Sequence, residues 1–432
     1  MVSRYFGWTI RTKQRGAMIS DSVRRRIIFL IACLMFSLSQ FYRASVAVIA
    51  PDLIRDLGMD TRGLSLISAA FFYAFALMQI PISMYLDGIG PRVSMTVLSL
   101  IAVIGAMMFA MGHSLSVLAT GRMLIGIGMA CNFMGTLKLI TLWFTPLRFA
   151  TLSALVSSLG TVGNLIAATP LVLMVQAMGW RNSFLVIAGI NLVLTLLFYL
   201  VTRDRPASLV SRNVPKATST HIREIWINLR QLFGEKDYWI ISLGTFCRYG
   251  IFAAVQSLWA GPFLINVIGV SVVSAGNLLF LMSVGMVVGS PVCGWLSDAV
   301  LENRKGIIVA GLIAMGAVLA LLTRLSSGTS MTLLCILFFC FGFISSAGGI
   351  MYAHIKEKMP AERAGTAMTG INFFTMIGGA VFLQGLGSMM QFFHPQESLG
   401  DSAFTDAFLF CAICLWITAA FYSFTAETRP QT

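Results

Sequence analysis

The chain has 432 residues, of which 57% are hydrophobic and only 11% charged, with a mean hydropathy of +0.84; that balance excludes an ordinary soluble globular protein. The formal net charge of +13 is read as a membrane-topology signal and an attraction to anionic lipid, because no basic-aromatic pattern points to nucleic acid.

Long apolar runs recur along the whole length. At 1.5 Å per residue each is long enough to cross a hydrocarbon core of about 30 Å as a helix. Twelve such spans are predicted, over residues 27–50, 64–86, 93–112, 117–141, 149–176, 181–201, 239–265, 274–297, 305–324, 330–354, 364–392 and 404–425. The expected fold is an all-α polytopic membrane protein of two pseudo-symmetric six-helix bundles. The bundles cover 27–201 and 239–425, between a tail over 1–26, a linker over 202–238 and a tail over 426–432. Cytoplasmic loops retain lysine and arginine, and the connections on one side hold 22 of these residues against four on the other. Both termini are therefore expected in the cytoplasm, in a multi-pass protein of the cytoplasmic membrane.

Four cations fall inside the predicted spans, away from their end residues: Arg43, Arg122, Lys138 and Arg248. Arg43 follows Phe41-Tyr42 in the first span, and Arg248 follows Phe246-Cys247 and precedes Tyr249 in the seventh, so each half carries Phe-x-Arg in its opening segment. A cation at a helix centre costs roughly 2.5–3.5 kcal/mol by insertion scales, so such residues face a bundle interior or a watery cavity and meet an anion. The guanidinium fork matches carboxylate and phosphate with two parallel hydrogen bonds. The pair is read as the ligand of an anionic solute, and the alternative is that each arginine packs against helix-end carbonyls.

Further along, the second span closes on Tyr85-Leu86-Asp87-Gly88-Ile89-Gly90-Pro91-Arg92, and the eighth on Gly294-Trp295-Leu296-Ser297-Asp298, followed by Arg304 and Lys305. The repeated order of an intramembrane arginine and then an acidic turn suggests two six-helix repeats. The fourth span carries Gly121-Arg122-x-x-x-Gly126-x-Gly128. Lys138, nearer its inner end, either draws anions inward or extends its charge to the interface. The fifth contains Gly160, Gly163 and Pro170, fitting either close packing or a coupling bend. The linker is predicted to hold a short surface helix near 221–234. The seventh span continues through Gln256, Trp259 and Pro262; the eleventh places Asn372 and Gln384 among glycines, either facing a cavity or bonding a neighbouring helix.

These motifs resemble those of the major facilitator superfamily. Asp87 to Arg92, with Asp298 and Arg304 in the second half, looks like that superfamily's signature loop, and the Arg122 motif like its fourth-helix arginine motif. The run around Arg248 resembles the seventh helix of the organophosphate and organic-anion branches. The resemblance implies a twelve-helix transporter with a central cavity that opens alternately to either face. It implies substrate contacts from Arg43 and Arg248, and Tyr42, Tyr249, Gln256, Trp259, Asn372 and Lys138 are the further candidate contacts. Gating or coupling falls to Asp87, Arg92, Arg122, Asp298 and Arg304. Some members of that branch place a histidine on the fifth helix, and this chain has none there.

The expected function is secondary transport of a small organic or phosphorylated anion, with or without a coupled ion, by a protein working as a monomer among membrane lipids. Two other classes stay open: export of amphipathic compounds or metal chelates, and substrate sensing without transport. No acidic residue lies in the middle of a span, which disfavours a buried carboxylate relay and cationic drug efflux. His354, at the inner end of the tenth span, is assigned a gate or interface role. Cys411-x-x-Cys414 is read as helix packing rather than a redox or metal pair. No cofactor, catalytic group or nucleotide-binding loop is expected, and no enzyme activity.

Overall fold

The computed structural model describes residues 21–145, 148–204 and 231–428, with the backbone alone at some positions, including those of Asp87 and Asp298. Residues 1–20 of the tail and most of the linker, including nearly all of the expected surface helix, lie outside the described residues. Everything described is helix or short connection, and the chain crosses the bundle twelve times. The first described helix includes Arg24, Arg25 and Arg26 ahead of the apolar run.

Several crossings are broken in the middle. The first comprises Asp21–Ala44 and Val46–Leu57, separated at Ser45. The Ser45 hydroxyl donates back to the Tyr42 carbonyl at 3.1 Å, the local competition with the helix ladder that serine favours. The second runs unbroken over Thr61–Gly88 and the third over Pro91–Met111, with proline at its first turn. The fourth comprises Leu115–Met129 and Asn132–Trp143, the fifth Phe149–Ile166 and the opening of Thr169–Val201. Within that last helix Gly179 has φ 79° and ψ 159°, where a side chain is strained, and there the fifth crossing ends and the sixth begins.

The second half repeats the pattern. The seventh crossing joins Lys236–Ala254, a π turn over Val255–Trp259 and Ala260–Asn266. The eighth is Val272–Trp295, extended by a π turn over Leu296–Val300, and the ninth is Arg304–Leu322. The tenth comprises Met331–Ser345 and Gly348–Lys358, the eleventh Ala361–Phe393 and the twelfth Asp401–Tyr422. Breaks in the first and fourth crossings thus have counterparts in the seventh and tenth, as expected of repeats.

Within the first half the third crossing packs on the fourth and sixth, and the first on the fifth; within the second half the seventh packs on the eleventh, and the eighth on the tenth. The main contact between halves joins the second crossing to the eleventh. With an even number of crossings, Asp21 and Thr428 share one face, called here the end face; the opposite one is the far face.

Candidate functional site

Arg43 stands in the last turn of Asp21–Ala44, next to the break at Ser45. Its Nη1 donates to the Tyr249 hydroxyl of the seventh crossing at 2.7 Å, a hydrogen bond between the two halves. Its guanidinium lies 4.9 Å from the Phe75 ring centre and 5.8 Å from that of Phe72, both on the second crossing. Those faces stabilise a cation without neutralising it. Arg248 is buried, with its guanidinium 5.8 Å from the Tyr249 ring centre, and donates from Nη1 to the Ser345 carbonyl of the tenth crossing. Tyr249 therefore stands between the two arginines. The Nε atoms of both are buried without a hydrogen-bond partner, and none of the ion pairs among the described residues involves either side chain.

A polar bridge flanks this pair. Asn372 donates to Gln79 of the second crossing at 3.2 Å and accepts from the Tyr352 hydroxyl at 3.1 Å, while Tyr352 also meets Thr375 at 3.2 Å. Gln79 lies one helical turn beyond Phe75, on the same face. Tyr352 is within electrostatic reach of both Arg43 and Arg248. The centre thus combines two uncompensated guanidinium groups, two phenols and an amide pair, drawn from both halves. Tyr352, Gln79 and Thr375 have no separate signal in the sequence, where a tyrosine or an amide in an apolar helix is commonplace.

Other expected contacts fall elsewhere. The Tyr42 ring packs towards Phe184 of the sixth crossing, at 6.4 Å between centroids, and faces its own bundle. Trp259 is buried beside Phe404 of the twelfth crossing. Gln256 donates to Ser283 of the eighth crossing at 3.2 Å. Lys138 is half-buried on the end-face side of the fourth crossing.

Of the residues expected to gate, Arg122, Arg92 and Arg304 each bond different neighbours. Arg122 is fully buried within the first half, donates to the Tyr42 carbonyl at 2.7 Å and lies 5.0 Å from the Phe71 ring centre. The glycines around it let backbones meet: a Cβ on Gly126 would stand 2.3 Å from the Phe71 carbonyl oxygen. Arg92 donates to the Tyr199 carbonyl at 3.0 Å and stacks on the Tyr199 ring. Arg304 forms a 2.8 Å ion pair with Glu357 and donates to Ser297. The side chains of Asp87 and Asp298 lie outside the described set. His354 is held between the Tyr422 hydroxyl and the Ala426 carbonyl, which ties the tenth crossing to the end of the twelfth. Cys411 and Cys414 are free thiols in helix packing.

A cavity of about 650 Å³ opens at the far face, lined in part by Asp52, Arg55, Asp56, Trp180 and Arg181, and it is not the arginine site. Trp180 donates to Asp56 at 2.9 Å, and with Arg55 beside it this holds the Asp56 carboxyl below the usual carboxylate range.

Comparison with known proteins gives this geometry its context. The probable sulfoacetate transporter of Cupriavidus necator is 24% identical over 381 residues, covering 83% of this chain and 86% of the relative. The D-galactonate transporter of Escherichia coli O6:H1 is 24% identical over 364 residues, covering 78% and 82%. The probable hexose phosphate transport protein of Chlamydia trachomatis is 23% identical over 418 residues, covering 90% and 89%. Among solved structures, a bacterial homolog of the human lysosomal transporter Spinster superposes with a TM-score of 0.72 at 19% identity, covering 92% of this chain and 96% of that one. The D-xylose-proton symporter superposes with a TM-score of 0.71 at 16% identity, covering 90% and 97%. The Major Facilitator Superfamily pattern matches residues 28–383, so the chain belongs to that superfamily of membrane transporters and is not an enzyme.

Proposed function

We propose that the protein moves a small organic or phosphorylated anion across the cytoplasmic membrane by alternating access, with the anionic group held between Arg43 and Arg248. The observation that carries this reading is the meeting of two guanidinium groups, one from each half, across a single tyrosine and without a carboxylate partner. An uncompensated buried cation is costly, and an anion that supplies its missing hydrogen bonds offsets that cost. Binding both arginines at once links the two bundles through the solute, which is what a rocking transporter requires of its substrate. Relatives named for sulfoacetate, D-galactonate and hexose phosphate agree with an anionic guest. Tyr249 and Asn372 complete the site, and Lys138 adds positive potential between the centre and the end face, which we assign to the cytoplasm from the distribution of lysine and arginine.

The test is uptake by proteoliposomes challenged with a panel of carboxylates, sulfonates and sugar phosphates. Saturable flux of at least one anion is expected, and Arg43→Gln or Arg248→Gln should each abolish binding while the protein stays folded in the membrane. Flux of hydrophobic cations with none of any anion would replace this reading with export, and binding without flux would replace it with sensing. Normal anion binding by either arginine variant would remove that residue from the site.

A further inference from the structure

The tenth crossing is two helices, Met331–Ser345 and Gly348–Lys358, joined at Ser346 and Ala347. In an unbroken α-helix the Ser345 carbonyl would accept from the amide of Gly349. Here the Gly349 amide turns to Ser346 at 3.0 Å and that of Ile350 to Ala347 at 3.1 Å, so the ladder tightens and the Ser345 carbonyl is released. Arg248, arriving from the seventh crossing, takes that carbonyl. Its guanidinium then lies directly over Gly348. A Cβ at 348 would stand 1.9 Å from Cζ, 2.1 Å from Nε and 2.3 Å from Nη1 of Arg248. The adjacent Gly349 is exposed, and a Cβ there would meet nothing within 4 Å.

We propose that the join at Ser345 to Gly348 is a seat that fixes where Arg248 presents its charge, making Gly348 a positioning residue for the anion site. This rests on Arg248 being an anion ligand. Two features set the seat apart from ordinary helix packing. What a side chain at 348 would strike is the far end of a flexible arginine rather than another backbone, so the helix pair can remain in place while the guanidinium is evicted. The carbonyl that holds Arg248 also belongs to the break itself, so any bend of the tenth crossing at that point carries the seat, and the charge in it, along. Anion affinity is thereby tied to the shape of this crossing.

The experiment compares Gly348→Ala with Gly349→Ala in proteoliposomes, using an anion that the wild-type protein transports. Gly348→Ala should raise the half-saturating concentration roughly tenfold or more, with little change in maximal rate, as expected when binding shared by the ground and transition states is lost. Gly349→Ala should leave both unchanged, because alanine suits a helix and finds open space there. A general stiffening of the helix would move both variants alike and would overturn the seat, as would an unchanged affinity for Gly348→Ala. If Gly348→Ala does not fold, Arg248→Gln on the same chain removes the clash and should restore a folded protein; a double variant that stays unfolded also overturns the proposal. The readings separate cleanly. Loss of binding by Arg248→Gln with normal affinity for Gly348→Ala removes the seat and keeps the anion site, whereas normal binding by Arg248→Gln removes both.

Discussion

Arg43 is oriented by one phenol and two aromatic faces, and of these only the Tyr249 hydroxyl fixes direction. A hydrogen bond to a charged group contributes about 1.5–3 kcal/mol, so its loss leaves the guanidinium free to swing over Phe72 and Phe75. Tyr249→Phe is therefore expected to weaken anion affinity about tenfold while leaving expression and thermal stability near wild type, since the ring and its packing remain. Concentration-dependent uptake checks this, and unchanged affinity would show that Arg43 does not need the phenol. Arg43 and Arg248 stand out in the sequence because charge inside an apolar run is costly and rarely kept without a use. Tyr42 is misleading for a geometric reason: successive residues on a helix point about 100° apart, so the neighbour of an arginine that reaches the other half turns into its own bundle. Tyr352 and Gln79 carry no charge to flag them and enter the site only through the packing of the tenth and second crossings.

Two carboxylates occupy equivalent places in the two halves. Asp204, just after the sixth crossing, accepts from the Arg92 amide at 2.8 Å; Glu427, just after the twelfth, accepts from the Arg304 amide at 2.8 Å and the Lys305 amide at 3.1 Å. Each caps the first turn of the third helix of its bundle, where free amides and the helix dipole favour an anion. The tail that carries Glu427 is held further by Thr428, which donates to Glu357, the partner of Arg304. Caps of this kind contribute about 0.5–2 kcal/mol. Glu427→Ala and Asp204→Ala should each lower the thermal midpoint of the purified protein, and Glu427→Gln by less than Glu427→Ala because the amide oxygen still accepts. Equal midpoints for all variants and wild type would show that the caps do not stabilise the bundles. The twelve crossings are legible in the sequence because length and hydropathy set them. The breaks are not, since they arise where a side chain from another helix claims a carbonyl, as Arg122 does at Tyr42 and Arg248 at Ser345. Arg92 and Arg304 also find partners far along the chain, at the Tyr199 carbonyl and at Glu357.

Across the whole molecule, the halves meet at the far face through neutral groups and close backbones. Thr61 donates to Gln391 at 2.9 Å and Thr169 to Asn277 at 2.6 Å. A Cβ on Gly387 would stand 2.5 Å from Ser65, and one on Gly261 would stand 2.5 Å from the Ala47 carbonyl oxygen. Single hydrogen bonds of this kind contribute about 0.5–1.5 kcal/mol each, small enough to open and re-form in every cycle. If the bundles rock about the central site, these pairs must separate whenever the far face opens. A chain carrying Thr61→Cys with Gln391→Cys, or Thr169→Cys with Asn277→Cys, should therefore stop transporting once oxidised and recover after reduction, while each single-cysteine variant ignores the oxidant. None of the eight native cysteines is exposed, and the single-cysteine variants control for their oxidation. Uptake at the wild-type rate by protein shown to be fully cross-linked at Thr61 and Gln391 would mean that the second and eleventh crossings move together, and that access to Arg43 and Arg248 is controlled somewhere other than between the halves.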